Sequence, residues 1–356
     1  MRSDLRGPVT GSRRRGVSSP APPTGVATGV GSMPGTDPRA VADVVAGEVA
    51  LMHLPELPAR GRGADMIGRC AALLVDMPMD VGIHGFRFAG SGSALRRRAH
   101  DLLRADLDAL EEIWETRGLG GPDAWVKTQV TGPFTLAAAV ETASGHKAVA
   151  DRGAWADVVG SLTEGVADHA RELSKRLDAR VVVQIDEPSL RAVVDGRVPP
   201  LSRFDVVPAI PAAVVAEHLS ALCDGVGAPV VLHDCGDAFP WDVAAQTPLW
   251  GVSLDLGRLG TDRSRTEDLD GLGEAVDAGR VVLAGVVPAT GPAPVPRPED
   301  VTDRLVALAD TIGLDHAVFT DQMLVTPGCG LAGASSDRAA AALKTCTAVA
   351  DELHHR

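Results

Sequence analysis

From about Gly25 onward, short β-branched apolar runs alternate with longer segments whose apolar positions recur every three to four residues. The runs predict strands over 26–31, 79–83, 125–130, 180–185, 229–232, 251–254, 280–286 and 317–325. Several are almost continuously apolar, such as VVVQI and PVVLH, as expected where helices cover both faces of a parallel sheet. The helical periodicity predicts helices over 93–115, 154–177, 209–223 and 265–278, and another opening at Pro133, where a missing N–H costs little. Eight strands, each followed by a helix, match an α/β fold of one kind in particular, a single closed (β/α)8 TIM barrel. A doubly wound open sheet is the alternative, although no G-x-G-x-x-G follows the first strand.

Composition narrows the partners. The 356 residues are 45% hydrophobic and 23% charged, values of an ordinary globular chain. No apolar run approaches the roughly 18 residues of a membrane span, so no membrane partner is expected. A net charge of −13 argues against nucleic acid, whose phosphates need clustered cations. The one basic cluster, Arg13, Arg14 and Arg15, lies in a Pro-, Ser- and Gly-rich stretch, so 1–24 is expected to be a disordered tail and 25–356 the barrel domain. That tail has no apolar core of a secretory signal. The five cysteines, an odd number, point to reduced thiols and a cytoplasmic location.

Three motifs carry candidate chemistry. His233 and Cys235, in VVLHDCGD, sit where an apolar run gives out, and alternation along a strand end turns residues i and i+2 to one side. Taken alone, such a pair reads better as a core cysteine beside a solvated histidine. Cys329, in VTPGCGLAG, lies in a Pro/Gly turn just beyond the last apolar run, whereas Cys223 and Cys346 sit in apolar helical patterns. Asp255 ends GVSLD; a carboxylate there needs a cation or a partner, and Arg258 is a possible one. All four fall at the ends of the fifth, sixth and eighth predicted strands, the face of a barrel that carries active sites. Two thiolates, an imidazole and a carboxylate suit zinc better than magnesium or calcium.

HDC, GVSLD and TPGCGLAG resemble, in the same chain order, the zinc-ligand motifs of cobalamin-independent methionine synthase. Asp255 stands where the family has a glutamate, one methylene longer. GVGSMPGT and VQIDEPSL are similar to the segments that hold the amino-acid substrate, which map to Ser32 and Asp186, and VTGPFT resembles a further segment near the site. The likeness spans about 25–350, the length of the catalytic barrel. It implies a zinc-dependent methyltransferase of methionine synthesis that transfers a methyl group to the thiol of homocysteine. Its ligands would be His233, Cys235, Asp255 and Cys329, of which His233, Cys235 and Cys329 are the catalytic set, and its substrate residues Ser32 and Asp186.

Departures fall on the donor side. The family's proton-supplying histidine motif is replaced by VVPATGPAP, and its folate-stacking tryptophan by LAAAVET. The second acid that clamps the substrate amino group has no counterpart in VGIHGFRF, which offers His84 and Arg87. The donor is therefore either 5-methyltetrahydropteroylglutamate or a methyl-corrinoid, with short archaeal relatives that use a corrinoid as the nearer analogy. Two other functions compete: a uroporphyrinogen decarboxylase-like enzyme, which needs no metal, and a non-catalytic corrinoid- or zinc-binding accessory protein.

Overall fold

The computed structural model describes residues 21–90, 93–202, 204–236, 238–259 and 266–356. Most of the expected tail, 1–24, therefore lies outside the described residues. The strands are β1 (Val26–Ala27), β2 (Met79–Val81), β3 (Phe86–Phe88), β4 (Trp125–Thr131), β5 (Val140–Glu141), β6 (Arg180–Asp186), β7 (Val230–His233), β8 (Gly251–Asp255), β9 (Val281–Val287) and β10 (Met323–Pro327). Seven of them form one parallel sheet in the order β1-β10-β9-β8-β7-β6-β4. Every residue of β9 is buried, as its unbroken VVLAGVV run requires of a strand covered on both faces.

Helices Ala94–Thr116, Arg152–Leu177, Ala212–Val226, Thr266–Asp277, Pro298–Ile312 and Ser336–Leu353 pack outside the sheet and close its outer core. Their ends follow local chemistry. Ser93, Asp151 and Ser335 each accept a backbone N–H of the first turn, and Gly227 and Gly313 close helices in the left-handed region. A second, smaller apolar cluster joins Leu51, Val182, Val231, Val281, Leu283 and Leu324. These come from β6, β7, β9, β10 and a preceding segment, and they meet because the sheet curls around them. None of the described helices is long and apolar enough to cross a membrane.

The curled sheet has seven regular strands, where eight were expected. The predicted strand over 79–83 is not among them. Met79–Val81 instead pairs antiparallel with β3, which pairs with β5 in a separate three-stranded sheet. The turn between β2 and β3 is closed by Gly82 N–H on Gly85 O at 2.7 Å, with Gly85 at φ +143°. Residues 51–56 lie between β1 and β4 and hydrogen-bond to both sides. Leu51 N donates to Ala27 O and Met33 N to Glu56 O, while Lys127 N donates to Met52 O and Leu54 N to Lys127 O. Pro55 has no N–H, which leaves this segment as isolated bridges, Ser32 to Glu56 and His53 to Lys127, rather than a regular strand. The last predicted strand, 317–325, also divides: Val318–Asp321 is a helical turn and the strand starts at Met323.

Candidate metal centre

β6, β7 and β8 deliver the site in register. Asp186 pairs with His233, and His233 with Ser253, so three polar side chains stand abreast at the carboxyl ends of three neighbouring strands. Cys235 follows two residues after His233, and Cys329 lies in the turn that leaves β10. Among the described residues, His233, Cys235 and Cys329 place their donor atoms within 4.8 Å of one another. The two sulfurs are 2.8 Å apart. His233 Nδ1 lies 2.9 Å from Ser253 Oγ, which fixes the ring plane and leaves Nε2 for the centre. Outer contacts of this kind orient metal-binding imidazoles.

The electrostatics suit a cation. Cys329 is held well below the ordinary thiol range, chiefly by the hydrogen bond from Cys235 and then by His233, while the same pairing and burial push Cys235 up. The pairing favours one thiolate over two, and ionising both thiols calls for further positive charge. Burial alone would depress the His233 imidazole, but Cys329, Asp186 and Asp234 together lift it above its usual value. Two sulfurs and one imidazole nitrogen form a donor set for a borderline-soft divalent ion, and zinc fits it.

Asp255 lies beside this group and outside it. Its Oδ2 is 3.7 Å from Arg258 Nε, and burial raises its carboxyl above the usual range, against the pull of Arg258. The carboxylate packs against the Cys329 turn, since a Cβ on Gly328 would fall 2.9 Å from Asp255 Cγ. Gly330 gives the same clearance to Ser32, whose hydroxyl would be 2.1 Å from a Cβ there, and Leu331 N donates to Ser32 O. Asp186 is buried and accepts from Gln184 Nε2 at 2.7 Å. Ser32, Asp186, His233, Cys235 and Cys329 thus converge on one mouth, with Asp255 at its edge. His84 and Arg87 belong to the exposed β2–β3 hairpin of the other sheet.

The sequence reading missed Glu56. It ends the segment that bridges β1 and β4, is buried, and pairs with Arg69 at 3.6 Å; Arg69 is in turn held by Asp106 at 2.7 Å. Burial pushes its carboxyl up to about 7; Arg69 counters this, and the charge of Asp186 adds to it. Lys127, Gln129 and Gln184 were also passed over, although polar residues at i and i+2 within WVKTQV were a usable signal.

A family model for the cobalamin-independent synthase catalytic domain matches residues 24–352. The chain belongs to that family. Among solved structures it is similar to a B12-independent methionine synthase from Shewanella sp. W3-18-1 in complex with selenomethionine, with TM-score 0.59 and 11% identity over 92% of this chain and 97% of that one. It is also similar to a putative vitamin-B12 independent methionine synthase from Listeria monocytogenes, with TM-score 0.58 and 13% identity over 92% and 98%. At these identities the likeness concerns the fold. No curated protein matches the sequence. A cobalamin-independent family gives the expectation of a corrinoid donor no support.

Proposed function

We propose that this protein is a zinc-dependent homocysteine S-methyltransferase of methionine synthesis. Its catalytic unit is residues 25–356, a (β/α)8 barrel in which 51–56 takes the place of the second strand. The observation that carries this reading is the meeting of His233, Cys235 and Cys329, with donor atoms within 4.8 Å, one strand from Asp186. Zinc held there by His233, Cys235 and Cys329 would supply the charge that keeps a substrate sulfur as thiolate at neutral pH, and Asp255, at the edge of the group, would be available as an oxygen donor.

The chain's own residues aim that sulfur. Asp186 takes the acceptor's ammonium, with the Glu56 carboxylate adding negative charge nearby, and Ser32 takes the carboxylate end. Fixing both ends of the amino acid leaves the sulfur one direction of attack, the source of most of the advantage in an aligned displacement. In the transfer the S–CH3 bond forms as the donor's N–CH3 bond breaks, and the donor nitrogen ends with a proton. In keeping with the family, 5-methyltetrahydropteroylglutamate is the donor. A methyl-corrinoid is the second reading, favoured by one feature: 288–297, the stretch after β9, holds no histidine to deliver that proton.

The test is metal analysis combined with methionine formation from homocysteine and each donor. About one zinc per chain is expected, with methionine produced from methyl-folate. Changing both Cys235 and Cys329 to Ser should remove most of the zinc and the activity while leaving far-UV circular dichroism intact. Full zinc retention in the double variant would overturn the site. A zinc-loaded protein inert with both donors would favour an accessory role, and a zinc-free one inert with both donors the decarboxylase class.

A further inference from the structure

Burying a lysine is costly unless its charge is matched and its three N–H groups find acceptors. Lys127 is fully buried in the middle of β4. Its register partner is Val182, a member of the inner apolar cluster, so the side chain starts at the boundary between that apolar floor and the polar mouth. Its Nζ donates to Val30 O at 2.9 Å, to Gln184 Oε1 at 2.9 Å and, more weakly, to Gln129 Oε1 at 3.4 Å. Each ammonium proton therefore has an acceptor. Gln184 passes the contact on, because its Nε2 donates to Asp186 Oδ1 at 2.7 Å and to Val30 O at 2.9 Å. Val30 lies two residues before Ser32. One buried ammonium thus ties together the two segments that bear Ser32 and Asp186.

A lysine serving only to fill the interior would need none of this relay, and an apolar residue beside Val182 would extend the floor at no electrostatic cost. We propose that Lys127 is a positioning residue for the amino-acid acceptor, setting the spacing of its two holders through Val30 and through the Gln184–Asp186 hydrogen bond. The inference rests on the reading above that Asp186 and Ser32 hold the acceptor. Lys127 itself touches no substrate. Burial pushes its ammonium down to about 8, with Asp186 and Glu56 holding it up.

Lys127→Met removes all three hydrogen bonds and the charge at similar length. Gln184→Leu cuts the relay to Asp186 while Lys127 keeps Val30 O and Gln129, and it decides the matter if the Met variant does not fold. The assay compares homocysteine with 1-propanethiol, an acceptor that lacks the amino-acid end. In each folded variant the KM for homocysteine should rise about tenfold or more, as for a lost charge-assisted hydrogen bond. The preference for homocysteine over propanethiol, as a ratio of kcat/KM, should fall by the same factor with zinc content unchanged. A merely structural role would lower both acceptors together and keep the ratio. A wild-type protein that methylates homocysteine while the variants keep KM and ratio overturns this inference alone. A wild type that ignores homocysteine overturns the functional reading and this inference with it.

Discussion

Replacing Ser253 with alanine isolates the part of the centre that orients a ligand without touching an ion. The Ser253 hydroxyl lies 2.9 Å from His233 Nδ1, and both residues are buried. Without it one imidazole nitrogen has no partner in a dry interior and the ring is free to tilt. An unsatisfied buried polar group costs about 1–3 kcal/mol. Loss of an outer partner of a metal-bound imidazole weakens metal affinity by about 10- to 100-fold, and a factor of ten is about 1.4 kcal/mol, so the two magnitudes agree. Only one oxygen is deleted, so the fold should persist. The assay is competition for zinc against a chromophoric chelator near neutral pH, on wild type, Ser253→Ala and Ser253→Thr. The alanine variant should bind zinc about 10- to 100-fold more weakly, and the threonine variant, which keeps the hydroxyl, close to wild type. Equal affinity in the alanine variant would refute the orienting role. Equal weakness in both would assign the effect to packing.

Two other expectations follow from single side chains. Asp186→Asn keeps shape and removes charge, which should weaken the homocysteine interaction by about 10- to 150-fold, the value of a lost charge-assisted hydrogen bond, with zinc content unchanged; unaltered affinity would return Asp186 to a purely structural role. His169, buried on the helix Arg152–Leu177 with Nε2 3.0 Å from Thr128 Oγ1, is pushed down by burial to about 3. Its folded value lies below its unfolded one, so its stabilisation is full above the ordinary imidazole range and is lost as pH falls toward 3. By about pH 5 the loss is on the order of 2 kcal/mol, and urea unfolding should show a smaller drop between neutral pH and pH 5 in His169→Gln than in wild type. An identical drop would refute the assignment.

Much of this was legible in the residues, for identifiable reasons. The apolar runs that became β6, β7, β8 and β9 need no context, because a strand buried on both faces has to be apolar along its length. His233 and Cys235 stood out only together with Cys329, a thiol in a Pro/Gly turn where a core cysteine is not expected. The segment 51–56 was not legible. Pro55 and Glu56 break its apolar pattern, and its pairing comes from the gap between β1 and β4 rather than from its own periodicity. The run at 79–83 does form a strand, but periodicity does not say which sheet a strand joins. Glu56 and Lys127 were hidden for the opposite reason. Charged residues read as solvated in a sequence; the polar alternation in WVKTQV hinted at Lys127, and the packed interior shows the partners, Arg69 for Glu56 and Val30 and Gln184 for Lys127.

The central claim is that His233, Cys235 and Cys329 hold a zinc ion to which the acceptor's sulfur binds. Zinc K-edge X-ray absorption, recorded with and without homocysteine, counts sulfur neighbours directly. The account predicts two sulfur ligands per zinc in the protein alone, from Cys235 and Cys329, and a third on adding homocysteine. A sulfur count that stays at two with saturating homocysteine, or a zinc coordinated without sulfur, would contradict it.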